Sequence, residues 1–274
     1  GKTLVALEYL KRSAEDKGKA LYLCLSSFLA HDIRRLHKGL VDVFQIKSLT
    51  ELVDDILLLC EDHGISGSGS SLANTIDTIA TKTSFRYDIL VIDEMQDLPP
   101  SLRRSLSRLV SNSGQLICCY DPEQNPFDCG YPNRTAQEMG FSSVDTLTYN
   151  IRNTPEIMEC FLSRCPNKTV WRSLAPSGAP VREITVDGNG YSSLVSIVNT
   201  IIEQLKVSPG MIAVLLRDYD CLVSVRSFVR NAISAGVIGF EWEALRLSTV
   251  IDFKGLESNI VLVWDSRHLS ETEY

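Results

Sequence analysis

The sequence predicts an α/β protein in which mainly parallel sheets are flanked by helices. Short apolar runs without alternation recur along the chain, and such runs are typical of strands buried on both faces of a parallel sheet. Helical patterns separate these runs, which favours parallel strand connections. At 274 residues the chain has the length of about two domains of roughly 100–200 residues each. We therefore expect two successive α/β units, one at residues 1–140 and one at 141–274.

The first unit is predicted to begin with a helix, because apolar residues from Leu4 to Leu10 recur at helical spacing and the pattern stops near Gly18. Non-alternating apolar runs then predict strands at 21–25, 89–92 and 116–120.

The second unit shows the same alternation of short apolar runs and helical segments. Thr154-Pro155 supplies an N-cap residue followed by proline, which favours a helix start at this point. The predicted strands lie at 144–149, 181–186, 211–216, 245–250 and 260–264, and the predicted helices at 154–165, 192–206 and 219–235.

Gly1-Lys2-Thr3 stands directly before the first helix, which is the context of a phosphate-binding loop. In such a loop the backbone N–H groups and the helix N-terminus hold phosphate oxygens, Lys reaches the β- and γ-phosphates, and Ser or Thr binds the metal. The alternative is a surface turn with a solvated lysine. Because the loop pattern begins with a glycine and four further residues before Gly1, we expect the sequence to be cut from a longer protein.

Acidic residues follow two of the predicted strands, Asp93-Glu94 after the one and Asp121 after the other. Ligands bind outside the carboxyl ends of parallel strands, so we expect these acids to face one crevice. In a phosphate-loop hydrolase the first acid holds Mg²⁺ and the second orients and deprotonates water. The alternative for Asp93-Glu94 is a helix start with favourable N-terminal acids.

Gln124 follows Asp121 closely and can contact both a γ-phosphate oxygen and the attacking water. A turn built on Asp121-Pro122 is the alternative interpretation.

Five segments occur in the order in which superfamily 1 helicases of the UvrD/Rep/PcrA type carry their motifs, and the chain resembles that family over nearly its whole length. Residues 93–97 are similar to the family's D-E-x-Q-D motif, residues 150–153 to N-Y-R-S, and residues 254–257 to K-G-L-E. The other two segments are residues 1–3 and 120–124.

The resemblance implies two tandem RecA-like P-loop NTPase domains with ATP and Mg²⁺ between them. It implies that Gly1 and Lys2 contact phosphates and that Thr3 and Asp93 hold Mg²⁺. The remaining implied roles are activation of water by Glu94, sensing of the γ-phosphate by Gln124, a cation reaching that phosphate from Arg152, and nucleotide contacts from Gly255 and Glu257.

Arg152 also makes physical sense by itself, because a cation delivered across a cleft neutralises the charge that develops in phosphoryl transfer. A surface arginine is the alternative.

Several features depart from the family. The short interval between Arg152 and residues 249–257 leaves no room for the large inserted domain typical of UvrD. Leu25-Ser26-Ser27 stands where the family often has Phe-Thr-Asn. A second family arginine is expected just after Tyr274. The compact spacing resembles the branch in which such ATPases are fused to a nuclease-related domain.

The leading functional hypothesis is an ATP-dependent DNA helicase or translocase core that couples ATP hydrolysis to single-stranded DNA, with RNA as an alternative strand. We expect hydrolysis in the full-length protein and none in residues 1–274 alone. The second hypothesis is an ATP-gated switch or assembly module for a fused effector domain, without unwinding activity. A phosphate-loop kinase fits Gly1-Lys2-Thr3 but gives no account of Gln124 and Arg152.

Composition limits the partners. The net charge of −7 argues against binding nucleic acid by bulk positive charge but leaves room for a local basic groove. Two clusters of cations are candidates for that groove, with a solvated helix face as the alternative interpretation for each. They are Arg34, Arg35, His37 and Lys38, and Arg103, Arg104 and Arg108.

No apolar run approaches the ~20 residues that span a bilayer, so we expect no membrane partner. The cysteines are scattered without a C-x-x-C pair, and several lie in apolar runs, as Cys118-Cys119 does. This usage favours free thiols in a reducing cytoplasm.

Overall fold

The structure is a computed structural model, and it describes residues 1–14, 18–65, 71–121, 140–164, 172–186 and 190–264. The chain forms two compact units, Gly1–Pro180 (unit 1) and Val181–Tyr274 (unit 2). Each unit contains a parallel sheet flanked by helices, which confirms the predicted α/β class. The domain boundary predicted at residue 140 stays a prediction.

Unit 1 is built on a four-stranded parallel sheet with the order β2-β1-β3-β4. Every residue of β1 is buried, and β3 is buried at all positions but one, because helices cover both faces of the sheet. This double burial explains the absence of alternation in the two runs. The strands are β1 (Ala20–Cys24), β2 (Gln45–Ser48), β3 (Tyr87–Ile92) and β4 (Val110–Cys118).

The helices of unit 1 have clear start signals in three cases. Ser26, Ser48 and Ser71 each cap a helix by accepting a backbone N–H, and Ser48 forms a full capping box with Glu51. The helices are α1 (Lys2–Ala14), α2 (Ser27–Leu36), α3 (Leu49–Asp62), α4 (Leu72–Lys82), α5 (Pro100–Ser107) and α6 (Pro155–Arg164), and a 3₁₀ turn covers Met95–Asp97.

Two strand predictions fail in the segment between the two large sheets. The strand predicted at 144–149 is reduced to β5 (Tyr149–Asn150), which pairs in parallel with β6 (Arg172–Ser173). Residues 181–186 form no strand, and Ile184 is 58% exposed. β-branched residues favour a half-buried pleated surface, whereas residues 181–185 are exposed.

Unit 2 has a three-stranded parallel sheet with the order β8-β7-β9, and its central strand β7 is buried at every position. The predicted helices and strands from residue 190 onwards are confirmed close to their expected bounds. The strands are β7 (Ile212–Leu216), β8 (Arg246–Thr249) and β9 (Ile260–Val263), and the helices are α7 (Gly190–Leu205) and α8 (Tyr219–Ser234).

Within the described residues, every helix is too short or too polar to cross a lipid bilayer.

Candidate nucleotide-binding site

The candidate site lies at the carboxyl edge of the unit 1 sheet. The N-terminus of α1 supplies Gly1, Lys2 and Thr3, and the polypeptide leaving β3 and β4 supplies acids. Because all strands of this sheet are parallel, their carboxyl ends share one edge, and the helix that precedes β1 begins at the same edge. Segments far apart in sequence therefore meet here.

Thr3 and Asp93 lie in direct contact, although 90 residues separate them in the sequence. The Thr3 hydroxyl donates to Asp93 Oδ2 at 2.9 Å. Thr3 is in the first turn of α1, and Asp93 follows the last residue of β3. A hydroxyl and a carboxylate oxygen are thus adjacent, and both are ligand types that Mg²⁺ prefers.

The Lys2 ammonium group lies between two carboxylates. Its Nζ is 3.4 Å from Asp121 Oδ2 and 3.9 Å from Glu94 Oε1. All three side chains are partly buried, with exposed fractions of 28% for Lys2, 17% for Glu94 and 24% for Asp121. The acids that follow β3 and β4 therefore lie around one cation, in agreement with the expectation that acids at neighbouring strand ends face one crevice.

The Asp93 carboxylate is fixed by three donors and is only 1% exposed. Its Oδ1 accepts the backbone N–H of Glu94 at 3.0 Å. Its Oδ2 accepts the Thr3 hydroxyl and also the hydroxyl of Tyr22, a buried residue of β1. A carboxylate buried in this way needs such donors, because an unpaired buried charge is very costly.

Glu94 adopts a left-handed backbone conformation, with φ of 51°. A non-glycine residue in this region stores roughly 1–3 kcal/mol of strain, which persists only where the surroundings impose it. The 3₁₀ turn that follows does so through the side chain of Gln96, whose Nε2 donates to the Glu94 carboxylate and whose Oε1 accepts the Asp121 N–H at 3.0 Å. The amide of Gln96 therefore links the chain segments that leave β3 and β4.

Arg103 of α5 stabilises the same turn by hydrogen bonds to its backbone. This arginine is 7% exposed and donates to the carbonyl oxygens of Leu98 at 2.7 Å and Gln96 at 2.9 Å. The guanidinium group thus satisfies backbone acceptors that the short 3₁₀ turn leaves without helical partners.

Burial and the nearby carboxylates keep the surrounding hydroxyl and thiols protonated. The pKa of Tyr22 is raised well above its ordinary value, first by burial and then by the charge of Asp93. Burial and the Asp93 charge likewise raise the pKa of Cys24 to about 12, and they raise the pKa of Cys119 to about 12. The Tyr22 hydroxyl is therefore a hydrogen-bond donor to Asp93 throughout the physiological pH range.

The other predicted site residues are Gln124, Arg152, Gly255 and Glu257. Gln124 falls in the range 122–139, which is outside them. Arg152 follows β5 and is exposed, and its backbone N–H donates to Asn150 Oδ1 at 2.9 Å. Gly255 lies in unit 2 in a turn with φ of 84°, a conformation that favours glycine, and the Glu257 carbonyl accepts a bond from Arg246. The roles predicted for these four residues stay predictions.

Most of the arginines predicted as a nucleic-acid track are paired within the protein. Arg34 contacts Glu51 at 2.9 Å, Arg35 contacts Asp32 at 3.3 Å, and Arg108 contacts Asp77 at 2.9 Å. Arg103 was predicted to belong to that track, but this residue is buried. Its guanidinium group donates hydrogen bonds to the turn described above and does not face solvent. The physical reason is that α5 turns this position inward, whereas the neighbouring Arg104 is exposed.

Two residues that contact the cluster were not singled out as site residues from the sequence. Tyr22 lies inside an apolar run and looks like core, and its partner Asp93 is 71 residues away. Gln96 stood within the matched D-E-x-Q-D segment, so its position in the motif was a usable signal. For Tyr22 the only signal was a polar tip in an otherwise aliphatic strand.

Among the described residues, no group of three or more His, Cys, Asp or Glu side chains is arranged to hold a metal ion.

No protein-family model matches the chain, and no curated protein matches it significantly.

Proposed function

We propose that the protein binds ATP with Mg²⁺ at the cluster of Lys2, Thr3, Asp93 and Glu94 and hydrolyses it. We propose further that its two units are tandem RecA-like P-loop NTPase domains of a superfamily 1 helicase-like ATPase, and that the hydrolysis is coupled to single-stranded nucleic acid. The assignment to that family and the roles of Gln124 and Arg152 rest on the resemblance of the motifs.

The observation that carries the proposal is the contact between Thr3 and Asp93. A phosphate-loop site requires a hydroxyl at the start of a helix to meet a carboxylate at the end of a neighbouring parallel strand. The two groups are 2.9 Å apart in a protein in which 90 residues separate them. A surface turn at residues 1–3 or a simple helix start at residue 93 gives no reason for this contact.

The donor set fits Mg²⁺ held together with a nucleotide. Mg²⁺ is usually bound through one or two carboxylates plus substrate phosphates and water, and not by a cage made of protein alone. Thr3 and Asp93 offer one hydroxyl and one carboxylate, which is a donor set of this kind. When bound, the ion would neutralise phosphate charge and help to orient the phosphates.

Lys2 is suited to phosphate because its present partners are carboxylates. Its ammonium group is held by Asp121 and Glu94 at 3.4 and 3.9 Å, so it already lies in an anion-binding position at the helix N-terminus. Phosphate oxygens can take the place of these carboxylates. The Glu94 carboxylate, released from Lys2, is then available to accept a proton from water.

The test uses the full-length protein and compares wild type with Glu94→Gln. Wild type should bind a fluorescent ATP analogue in the presence of Mg²⁺ and hydrolyse ATP. Glu94→Gln should keep the binding and lose at least about 100-fold in kcat, the range of one acid–base group. Glu61→Gln, an exposed Glu of α3, is the matched control and should behave as wild type. Wild-type protein that binds no nucleotide, or an equal loss in both variants, would refute the proposal.

One observation favours the second candidate, an ATP-gated switch or assembly module. Three of the predicted strand-binding arginines are neutralised by Asp or Glu, a fourth is buried, and the net charge is −7. Single-strand binding needs a cationic track that follows the phosphate backbone. Stimulation of ATP hydrolysis by single-stranded DNA, falling steeply with salt, would decide for the motor. Hydrolysis that is indifferent to DNA and RNA would decide for the switch.

A further inference from the structure

The hydroxyl group of Tyr22 has a partner that the proposed function does not explain. Tyr22 is 0% exposed and lies in the middle of β1, where every neighbour in the strand is apolar or a thiol. A phenylalanine would fill the same volume without burying a polar atom. The hydroxyl instead donates to Oδ2 of Asp93, the carboxylate proposed to hold Mg²⁺.

The strand register explains how the contact forms. Tyr22 is paired with Val91 of β3, and side chains two residues apart in a strand point to the same face. Asp93 is therefore on the Tyr22 face, about 6.6 Å further along β3 at a rise of roughly 3.3 Å per residue. A tyrosine that leans towards the carboxyl edge covers this step, and its ring remains inside the core.

Tyr22 and Thr3 together saturate one oxygen of the Asp93 carboxylate. A carboxylate offers about four lone-pair sites, two on each oxygen. Oδ2 accepts both hydroxyl groups and Oδ1 accepts the Glu94 N–H, so the remaining site lies on Oδ1. With donors on both oxygens, the carboxylate cannot rotate without breaking a bond. The Thr3 hydroxyl donates its proton to Asp93, so its oxygen faces a bound cation as an acceptor.

We propose that Tyr22 is a positioning residue of the magnesium site, whose hydroxyl locks Asp93 in the orientation that keeps Thr3 and the free lone pair of Oδ1 ready for the ion. This inference rests on the proposed function. Groups that orient metal ligands in this way typically contribute 10–100-fold to metal affinity. The effect of Tyr22 should therefore be seen in the dependence on Mg²⁺ and not in the affinity for nucleotide alone.

The experiment measures binding of a fluorescent ATP analogue to the full-length protein, in EDTA and over a Mg²⁺ titration, for wild type and Tyr22→Phe. Tyr22→Phe should raise the half-saturating Mg²⁺ concentration by about 10–100-fold. Binding in EDTA, which depends on Lys2 and the α1 N-terminus, should change by less than about twofold. Mn²⁺ bound together with the nucleotide, read by electron paramagnetic resonance, should show the same loss without any turnover.

Tyr87→Phe is the matched control. Tyr87 is also a tyrosine of this sheet, on β3, and is 1% exposed, but its hydroxyl has no hydrogen-bond partner among the described residues. The Mg²⁺ titration of this variant should coincide with that of wild type. Equal titrations for the two variants, or a Tyr22→Phe loss that is the same in EDTA and in Mg²⁺, would overturn the positioning role.

Removal of the Tyr22 hydroxyl leaves a buried carboxylate with one donor fewer, so folding is checked by near-ultraviolet circular dichroism. If Tyr22→Phe is unfolded, the substitution is combined with Asp93→Asn in a double variant, in which the buried side chain at position 93 carries no charge. The double variant should then need the same Mg²⁺ concentration as Asp93→Asn, and a further loss would overturn the proposal. Wild type that fails to bind nucleotide under any condition would refute the proposed function itself, and the role of Tyr22 with it.

Discussion

Replacement of Arg103 by methionine should destabilise unit 1 strongly, although the sequence presents this residue as one of several surface cations. Methionine keeps a long apolar side chain on the buried side of α5 and lacks the guanidinium donors. Two buried carbonyl oxygens, those of Leu98 and Gln96, then lose their charged partner. The control is Arg104→Met, the same substitution at an exposed position of the same helix, which removes a charge without removing these buried hydrogen bonds.

The magnitude follows from the two bonds. A hydrogen bond to a charged group contributes about 1.5–3 kcal/mol, so two such bonds contribute about 3–6 kcal/mol. Removal of a buried charge offsets part of this loss, because the guanidinium group no longer has to be taken out of water. We therefore expect Arg103→Met to lower the free energy of unfolding of unit 1 by about 3 kcal/mol. Arg104→Met should change it by less than about 0.5 kcal/mol.

The assay is urea unfolding read by pulsed hydrogen exchange on peptides from β3 and β4, so that the transition belongs to unit 1. With a slope of about 3 kcal/mol per molar urea, the midpoint of Arg103→Met should fall by about 1 M. A shift equal to that of Arg104→Met would show that Arg103 is an ordinary surface cation, and the account of the turn would be wrong.

Two further predictions concern a helix cap and a thiol. Ser48→Ala removes the capping box of α3, in which Ser48 accepts the N–H of Glu51, and should cost about 1 kcal/mol of unfolding free energy; an unchanged urea midpoint would contradict the cap. Cys24 has its pKa raised to about 12 from 9.0, so iodoacetamide at pH 8 should label it only after unfolding, as mass spectrometry can check. Because the unfolded chain releases this proton above pH 9.0 and the folded chain retains it up to about 12, the free energy of unfolding should fall over that interval.

Three of the strands that could be predicted from sequence are buried on both faces. β1 and β7 are apolar throughout, and β3 is apolar from Ile89 to Ile92, because both faces of these strands are covered, and that burial leaves a run without alternation. β2 has only four residues and alternates in burial, so no pattern singled it out. The error at 181–186 has the opposite origin, since the β-branched residues there are largely exposed.

The candidate site divides in the same way. Two local patterns contain the predicted residues of the cluster: a triplet before a helix, with Lys2 and Thr3, and an acidic pair after a strand, Asp93 and Glu94. Patterns of consecutive residues can be recognised from the sequence alone. The contact of Tyr22 with Asp93 has no local pattern, because it depends on the register of two parallel strands.

The sequence by itself determined the α/β class and the acids at the strand ends. Burial of a strand produces a run of consecutive apolar residues, and an acid that directly follows such a run lies at the carboxyl end of the strand. Only the tertiary structure decided which polar groups meet. It placed the Tyr22 hydroxyl on the Asp93 carboxylate and turned Arg103 into the core beside the exposed Arg104. The physical reason is that a hydrogen bond requires two groups within about 3 Å, and that distance is set by how strands and helices pack, not by their order along the chain.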